Sequence, residues 1–539
     1  MQIINLFAFL SVIFRAATIM LQSLVLGGVV FSGLVLGSSG AGAKPSEAKS
    51  ACERMLRIAA ILLIVVQAFY MTCEAGLLIE LSGFQLGEIA GASFFLAGIV
   101  SIVCGLLIVF VPHKASYSRW VLLPLALGVI AAMVATSHAA SRLESRGVLM
   151  SFTALHLVAV GCWIGALPYL LLSLRAHPNP EAEHHMLRRF SSVAMICVGV
   201  LVASGVGTCL YYFDSLFSVY GTAYGIMMAS KVALFAVLLL LGAVNRSIVN
   251  RNNKEDITNR LRYFVATEIG LATAVILIAV SMTTQPPAVD LRAQRVDGAT
   301  ILHRITPRWP RLHSPAVSEL TPATRPLDKQ AAAALPVTYV PGEKIHTPNT
   351  PSDIAWSEYN HNWMGLLLLV IGIAALLART GRIPLAKHWP LLFILMGAFI
   401  FLRADPENWP LGPNGFWESF DEAEVLQHRM AVLLVVAFAV FEWRVQLRTS
   451  KWKYAPLVFP AVCVAGGMLL VTHTHSLNNI KEELLAEMSH VPLALLAILT
   501  GWSRWLEFRL PKRDQAVVSW IWPLCFALMG AILLNYREA

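Results

Sequence analysis

A histidine lies deep in an apolar stretch in the first third of this chain. The run LMSFTALHLVAVGCWIGALPYLLLSLR, Leu149 to Arg175, is long enough to cross a bilayer, and His156 sits inside it. An ionisable group is costly at that depth, so it faces a protein interior or a wet cavity and marks a pathway. Just upstream, VATSHAASR places His138 at the end of the preceding apolar run. Met71, Met150, Met227, Met228 and Met282 fall toward the same side of the predicted helices. Imidazole and thioether donors together suit copper, the thioethers favouring Cu(I). The plainer readings are a histidine satisfied by a neighbouring helix and methionines that fill irregular helix contacts.

The second half of the chain repeats the pattern. His361 (SEYNHNWMG), His428 (AEVLQHRM), His473 and His475 (VTHTHS) and His490 (EMSHVP) all fall at helix ends on one predicted side. His388 is on the other. The H-x-H pair brings two imidazoles together only if the helix has ended there, because positions i and i+2 diverge on a helix. Glu422 and Glu424 lie on the same side and could attract a cation or fix an imidazole tautomer. The candidate metal-binding histidines are therefore His138, His156, His361, His428, His473, His475 and His490. The five methionines are possible additional ligands. No catalytic residues are assigned and no enzyme is expected.

The elements that must position these groups are membrane helices. Of 539 residues, 57% are hydrophobic and 14% charged, against roughly 25% charged in soluble domains. Continuous apolar runs select helices over a barrel, since backbone groups in lipid must pair internally. The expected fold is all-α and polytopic, with about fourteen transmembrane helices, eight plus six. The first eight are expected near 8–37, 58–80, 88–111, 120–138, 149–174, 190–212, 225–245 and 262–282. Six more are expected near 361–378, 389–403, 425–446, 455–472, 491–508 and 517–535. This divides the chain into an eight-helix domain (1–282), a Pro-rich linker (283–355) and a six-helix domain (356–539). The linker reads as extended and partly disordered, without a compact domain.

The formal charge of +9 is read as a topology signal rather than as nucleic-acid binding. Lys and Arg gather in alternate short loops, which puts those loops in the cytoplasm and both termini in the periplasm. No positively charged segment precedes the first apolar run, so that run reads as a retained helix. The eight cysteines are scattered without a C-x-x-C, and most read as small buried hydrophobes. Lys231 and Glu268 lie inside predicted spans at different depths. Each is expected to meet backbone, water or another polar side chain rather than the other. Gly33/Gly37 and Gly161/Gly165 give G-x-x-x-G spacings, and Gly161 is expected to admit a neighbouring helix.

Several ordered segments resemble the copper resistance protein D (CopD) family of bacterial inner-membrane proteins. They are TSHAA, LHLVAVGCWIGALPYLLL, RRFSSVAMICVGVLVASGVG, YGIMMASKVALFAVLLLLGAVNR and ATEIGLATAVILIAVSMTTQPP. The similarity runs clearly over about 120–290, and the second membrane unit resembles the extra module of longer members. The resemblance implies copper movement across the inner membrane and a separate periplasmic copper-binding partner of the CopC type. His138 matches the family's histidine after the small-residue run, and His156 the one in its LH…W.GG-like segment, which here reads GCWIGA. Neither G-x-x-x-x-G-K-[ST] nor D-K-T-G occurs, so ATP-driven pumping is not expected. The competing reading is a membrane redox protein of the quinone/cytochrome type, because histidines on adjacent helices also hold haem b.

Overall fold

The structure, a computed structural model, describes residues 2–36, 47–82, 84–111, 118–176, 180–250, 257–316, 319–320, 350–406, 408–420, 423–472 and 480–538. Among these, every regular element is a helix, apart from one isolated bridge between Asn408 and Asn414. All fourteen expected segments are helical. Ten helical stretches among the described residues are long and apolar enough to cross a membrane, and Trp120–Ala135 and Ala455–Val471 are shorter apolar helices. The protein is thus an all-α polytopic membrane protein. It divides into two compact units, Met1–Val219 with Met227–Leu291, and Tyr220–Ile226 with Arg292–Val471 and His475–Ala539.

In the first unit the helices are α1 (Gln2–Val30), α2 (Glu47–Ser82), α3 (Leu86–Ala90), α4 (Ser93–Phe110), α5 (Ser118–Ala135), α6 (His138–Ser141), α7 (Arg146–Trp163), α8 (Leu167–Ala176), α9 (Pro180–Tyr212), α10 (Phe217–Tyr220), α11 (Ala223–Asn250) and α12 (Ile257–Met282). A π-helical turn, Phe31–Val35, prolongs α1. The span expected at 149–174 is interrupted between α7 and α8, and the reason is close packing on α1. At Gly165 a Cβ would collide with the backbone of Ser23, and at Gly27 one would collide with the backbone of Gly165. Gly161 admits Leu26 of the same helix. Two backbones touch here because lipid offers no hydrophobic drive between helices, and small residues let dispersion contacts replace it. Gly33 does not take part, since nothing lies within 4 Å of its added Cβ, and Gly37 lies outside the described residues.

The second unit begins with α13 (Gly298–Ile305), followed by α14 (Pro351–Thr380), α15 (Leu392–Arg403), α16 (Ala423–Gln446), α17 (Val458–Thr472), α18 (Ile480–Arg509) and α19 (Lys512–Leu534). Here α14 starts ahead of the span expected at 361–378 and ahead of the boundary at 356. Thr350 and Asp353 form a reciprocal capping box with Pro351 in the first turn, which starts the helix in the aqueous phase. Part of the expected linker is also folded. The Arg311 backbone amide donates to Asn362 at 2.7 Å, its guanidinium pairs with Glu358 at 3.1 Å, and Trp363 donates to the Leu312 carbonyl at 3.1 Å. Residues 321–349 lie outside the described residues.

The core of the second unit is aromatic, built from Trp389, Phe393, Phe459, Trp522 and Phe526. Beside it lies a charge cluster that hydropathy does not announce. Arg504 pairs with Glu507 at 2.7 Å and with Glu442 at 3.4 Å, Arg379 pairs with Glu507, and Trp522 donates to Glu507 at 2.8 Å. Two cations and two anions compensate one another in a setting where each alone would be prohibitive.

Two stability predictions follow from these packings. Gly165→Leu forces α1 away from the α7–α8 junction and costs about 1–3 kcal/mol or more, read as a lower melting temperature in detergent. Arg504→Met leaves Glu442 and Glu507 short of a partner and costs about 3–5 kcal/mol. Replacing Arg504, Glu442 and Glu507 together by apolar residues recovers much of that loss in the same assay.

Candidate metal-handling site

The α5 helix closes with Thr136 and Ser137 donating their hydroxyls to the carbonyls of Met133 and Val134, at 3.0 and 2.7 Å. The chain then turns into the short α6, whose first residue is His138. Its Nε2 lies 2.6 Å from the carbonyl oxygen of Thr283, just past the end of α12. A carbonyl can only accept, so Nε2 carries the proton and donates it, and in the neutral ring Nδ1 holds the lone pair. The ring is exposed. A bidentate pair fixes this corner: Arg142 donates to both carboxylate oxygens of Asp290 at 3.0 and 2.7 Å and lies over the Tyr212 ring.

His156 projects from α7 toward α9. Its Nδ1 is 3.1 Å from the Ser204 hydroxyl oxygen, and Ser204 donates its single proton to the Val200 carbonyl at 2.7 Å. The ring also hydrogen-bonds to the Leu201 backbone, so Ser204 is one of two partners that orient it. Gly205 gives the ring room, with a Cβ there 3.8 Å from Cε1. Phe152 against Gly207 continues the same antiparallel register. Lys231 of α11 lies within electrostatic reach of His156. Glu268 is answered elsewhere, by Asn245 donating at 2.7 Å. Glu268 therefore meets a polar side chain other than Lys231, as its depth led us to expect.

The candidate methionines are mostly enclosed within the first unit. Met71 packs its sulfur against Gly98 of α4; Met227 and Met282 are buried, and Met150 and Met228 half-buried. In the second unit, His428 Nδ1 lies 2.7 Å from Asp405, and His361 stacks on Tyr536 at 3.9 Å while donating from Nδ1 to the Ser357 carbonyl at 2.9 Å. His490 sits within α18, two residues before Pro492. His473 and His475 lie outside the described residues, as does Glu422. Among the described residues no group of three or more His, Cys, Asp or Glu side chains is placed to hold one metal ion. What the structure offers is single oriented imidazoles.

Sequence reasoning missed a polar pocket between α1, α2, α4 and α5. Arg15, Thr18, Gln22, Gln67, Tyr70 and Ser101 line it, with Met133 and Thr136 at one side. Arg15 reaches Tyr70 at 3.4 Å and the Thr136 carbonyl at 3.5 Å, two residues from His138. The signal was present in α1, where Ser11, Arg15, Thr18 and Gln22 recur at helical spacing on one face of an otherwise apolar run.

Replacing Ser204 by Ala removes one of the two hydrogen-bond partners of the buried His156 ring. We expect a loss of about 1–3 kcal/mol, seen as a lower melting temperature, with Ser204→Thr close to the unaltered chain.

Comparison with known proteins bears on this same region. Residues 184–282 match the family model of copper resistance protein D, CopD. Copper transport protein CutJ of Bacillus subtilis (strain 168) is 31% identical over 163 residues, 30% of this chain and 29% of that protein. Copper resistance protein D of Pseudomonas syringae pv. tomato is 28% identical over 176 residues, 30% of this chain and 57% of that protein. The match thus spans less than two thirds of either relative. No solved structure matches the chain. The family match is narrower than the resemblance over 120–290; it takes in Ser204, Lys231 and Glu268 and stops short of His138 and His156. Over residues 184–282 this membrane protein is similar to the copper resistance protein D family, and the relatives above carry copper transport and copper resistance names.

Proposed function

We propose that this chain moves copper across a bacterial inner membrane, taking the metal at the periplasmic end of its first unit. The observation that carries this reading is the posture of His138. Its Nε2–H is held by the Thr283 carbonyl, and its exposed ring keeps Nδ1 as the lone-pair nitrogen. Metal-ligating histidines are held in this way, with the second ring N–H bound to a carbonyl or carboxylate that fixes tautomer and orientation. His428, held by Asp405, has the same support in the second unit. The relatives named for copper transport and copper resistance supply the identity of the metal.

In this reading His138 receives copper and His156, oriented by Ser204, passes it on between α7 and α9. The exposed His138 corner is the place for a separate periplasmic copper-binding protein of the CopC type to deliver its cargo. Both termini are periplasmic, following the Lys/Arg loop asymmetry. By the Lys/Arg loop asymmetry, His361, His428, His473, His475 and His490 are outer-side candidate ligands of the second unit, and Met71, Met150, Met227, Met228 and Met282 are soft candidate ligands of the first. The chain acts as a transporter and not as an enzyme.

His138→Ala and His156→Ala are expected to lower cellular copper accumulation several-fold, measured by elemental analysis of cells expressing equal amounts of membrane-inserted protein. Unchanged copper in both variants removes these histidines from the metal's path.

A further inference from the structure

The helix pair that carries His156 also brings two thiols together. Helices α7 and α9 run antiparallel, with Phe152 against Gly207 and His156 against Ser204. The same register carries Cys162 of α7 to Cys197 of α9, and the two thiols lie within hydrogen-bonding reach of one another. Neither is in a disulfide; Cys197 is buried and Cys162 half-buried. Cys162 is six residues beyond His156, about 9 Å further along the helix at 1.5 Å per residue.

From this arrangement we propose that Cys162 and Cys197 form a two-sulfur site for monovalent copper, the next station inward from His156. This rests on the copper-transport reading and deepens it by naming the oxidation state carried. Two sulfur ligands select Cu(I) over harder or higher-coordinate ions. A pair of opposed cysteines needs no third protein ligand for such an ion, which agrees with the absence of larger clusters among the described residues. Binding is balanced without a redox partner. One Cu(I) joins two thiols, two sulfur–copper bonds form, two S–H bonds break, and two protons leave to water.

The test uses the purified full-length chain loaded with one equivalent of Cu(I) under anaerobic conditions. X-ray absorption is expected to show two sulfur neighbours. The Cu(I) affinity, measured against a chromophoric chelator, is expected to rise with pH by up to about a hundredfold per unit while two thiols deprotonate. Cys162→Ser and Cys197→Ser each remove the two-sulfur signature and weaken Cu(I) binding by at least tenfold, and His156→Ala leaves that signature in place. A nitrogen-only shell in the unaltered chain overturns the proposal even if the cysteine variants fail to fold. So does a two-sulfur shell that survives in both variants. Either result, in a chain that still raises cellular copper, sinks the thiol site alone. A chain that neither binds copper nor changes its cellular level sinks the transport reading with it.

Discussion

Polar atoms placed between apolar helices must find their partners inside the bundle, because lipid supplies none. That single requirement organises both units. In the first, His156 is held by Ser204, Glu268 by Asn245, and Arg15 by Tyr70 and the Thr136 carbonyl. In the second, Arg379, Arg504, Glu442 and Glu507 close on one another beside Trp522. Apart from Arg504 with Glu507, which share one helix, these pairings join residues from different segments and so also set how the helices sit. Small residues do the complementary work. Gly165 against Ser23 in the first unit, and Gly365 against Leu534, Gly372 against Ala527 and Gly530 against Leu369 in the second, let neighbouring helices approach closely.

The two kinds of histidine support have different consequences. The His138 ring is exposed and hangs from a backbone carbonyl, so its free edge is open to solvent without unsealing the bundle. The His156 ring is enclosed between α7 and α9 and depends on a hydroxyl already committed to the Val200 carbonyl. An ion reaching it must shed water, which disfavours hard, strongly hydrated cations and favours soft ones. A series of stations with one or two donors each suits passage better than one multidentate centre.

Much of this fold was legible before any coordinates. Uncharged runs located the helices, and the depth of His156 marked a helix that would need a polar neighbour. The identity of that neighbour was not legible, because Ser204 lies 48 residues away and serines are common in apolar helices. The start of α14 was readable in Thr350-Pro351-Ser352-Asp353, a capping box that hydropathy alone conceals. Glu442, Arg504 and Glu507 were hidden because their runs stay apolar on average; only the pairing across helices reveals why three charges are tolerated there. The cysteines read as small hydrophobes, which is the usual outcome. Helix register alone distinguishes Cys162 and Cys197 from the other six.

The central claim is that copper crosses through the first unit along the α7–α9 face. Its most direct test is Cu(I) uptake into sealed proteoliposomes containing the purified full-length chain, followed by a copper-sensitive dye trapped inside, with a visible spectrum of the same preparation. The account predicts protein-dependent copper entry that saturates with concentration, from a preparation lacking a Soret band. Entry no faster than in protein-free vesicles, together with stoichiometric haem in the spectrum, would contradict it.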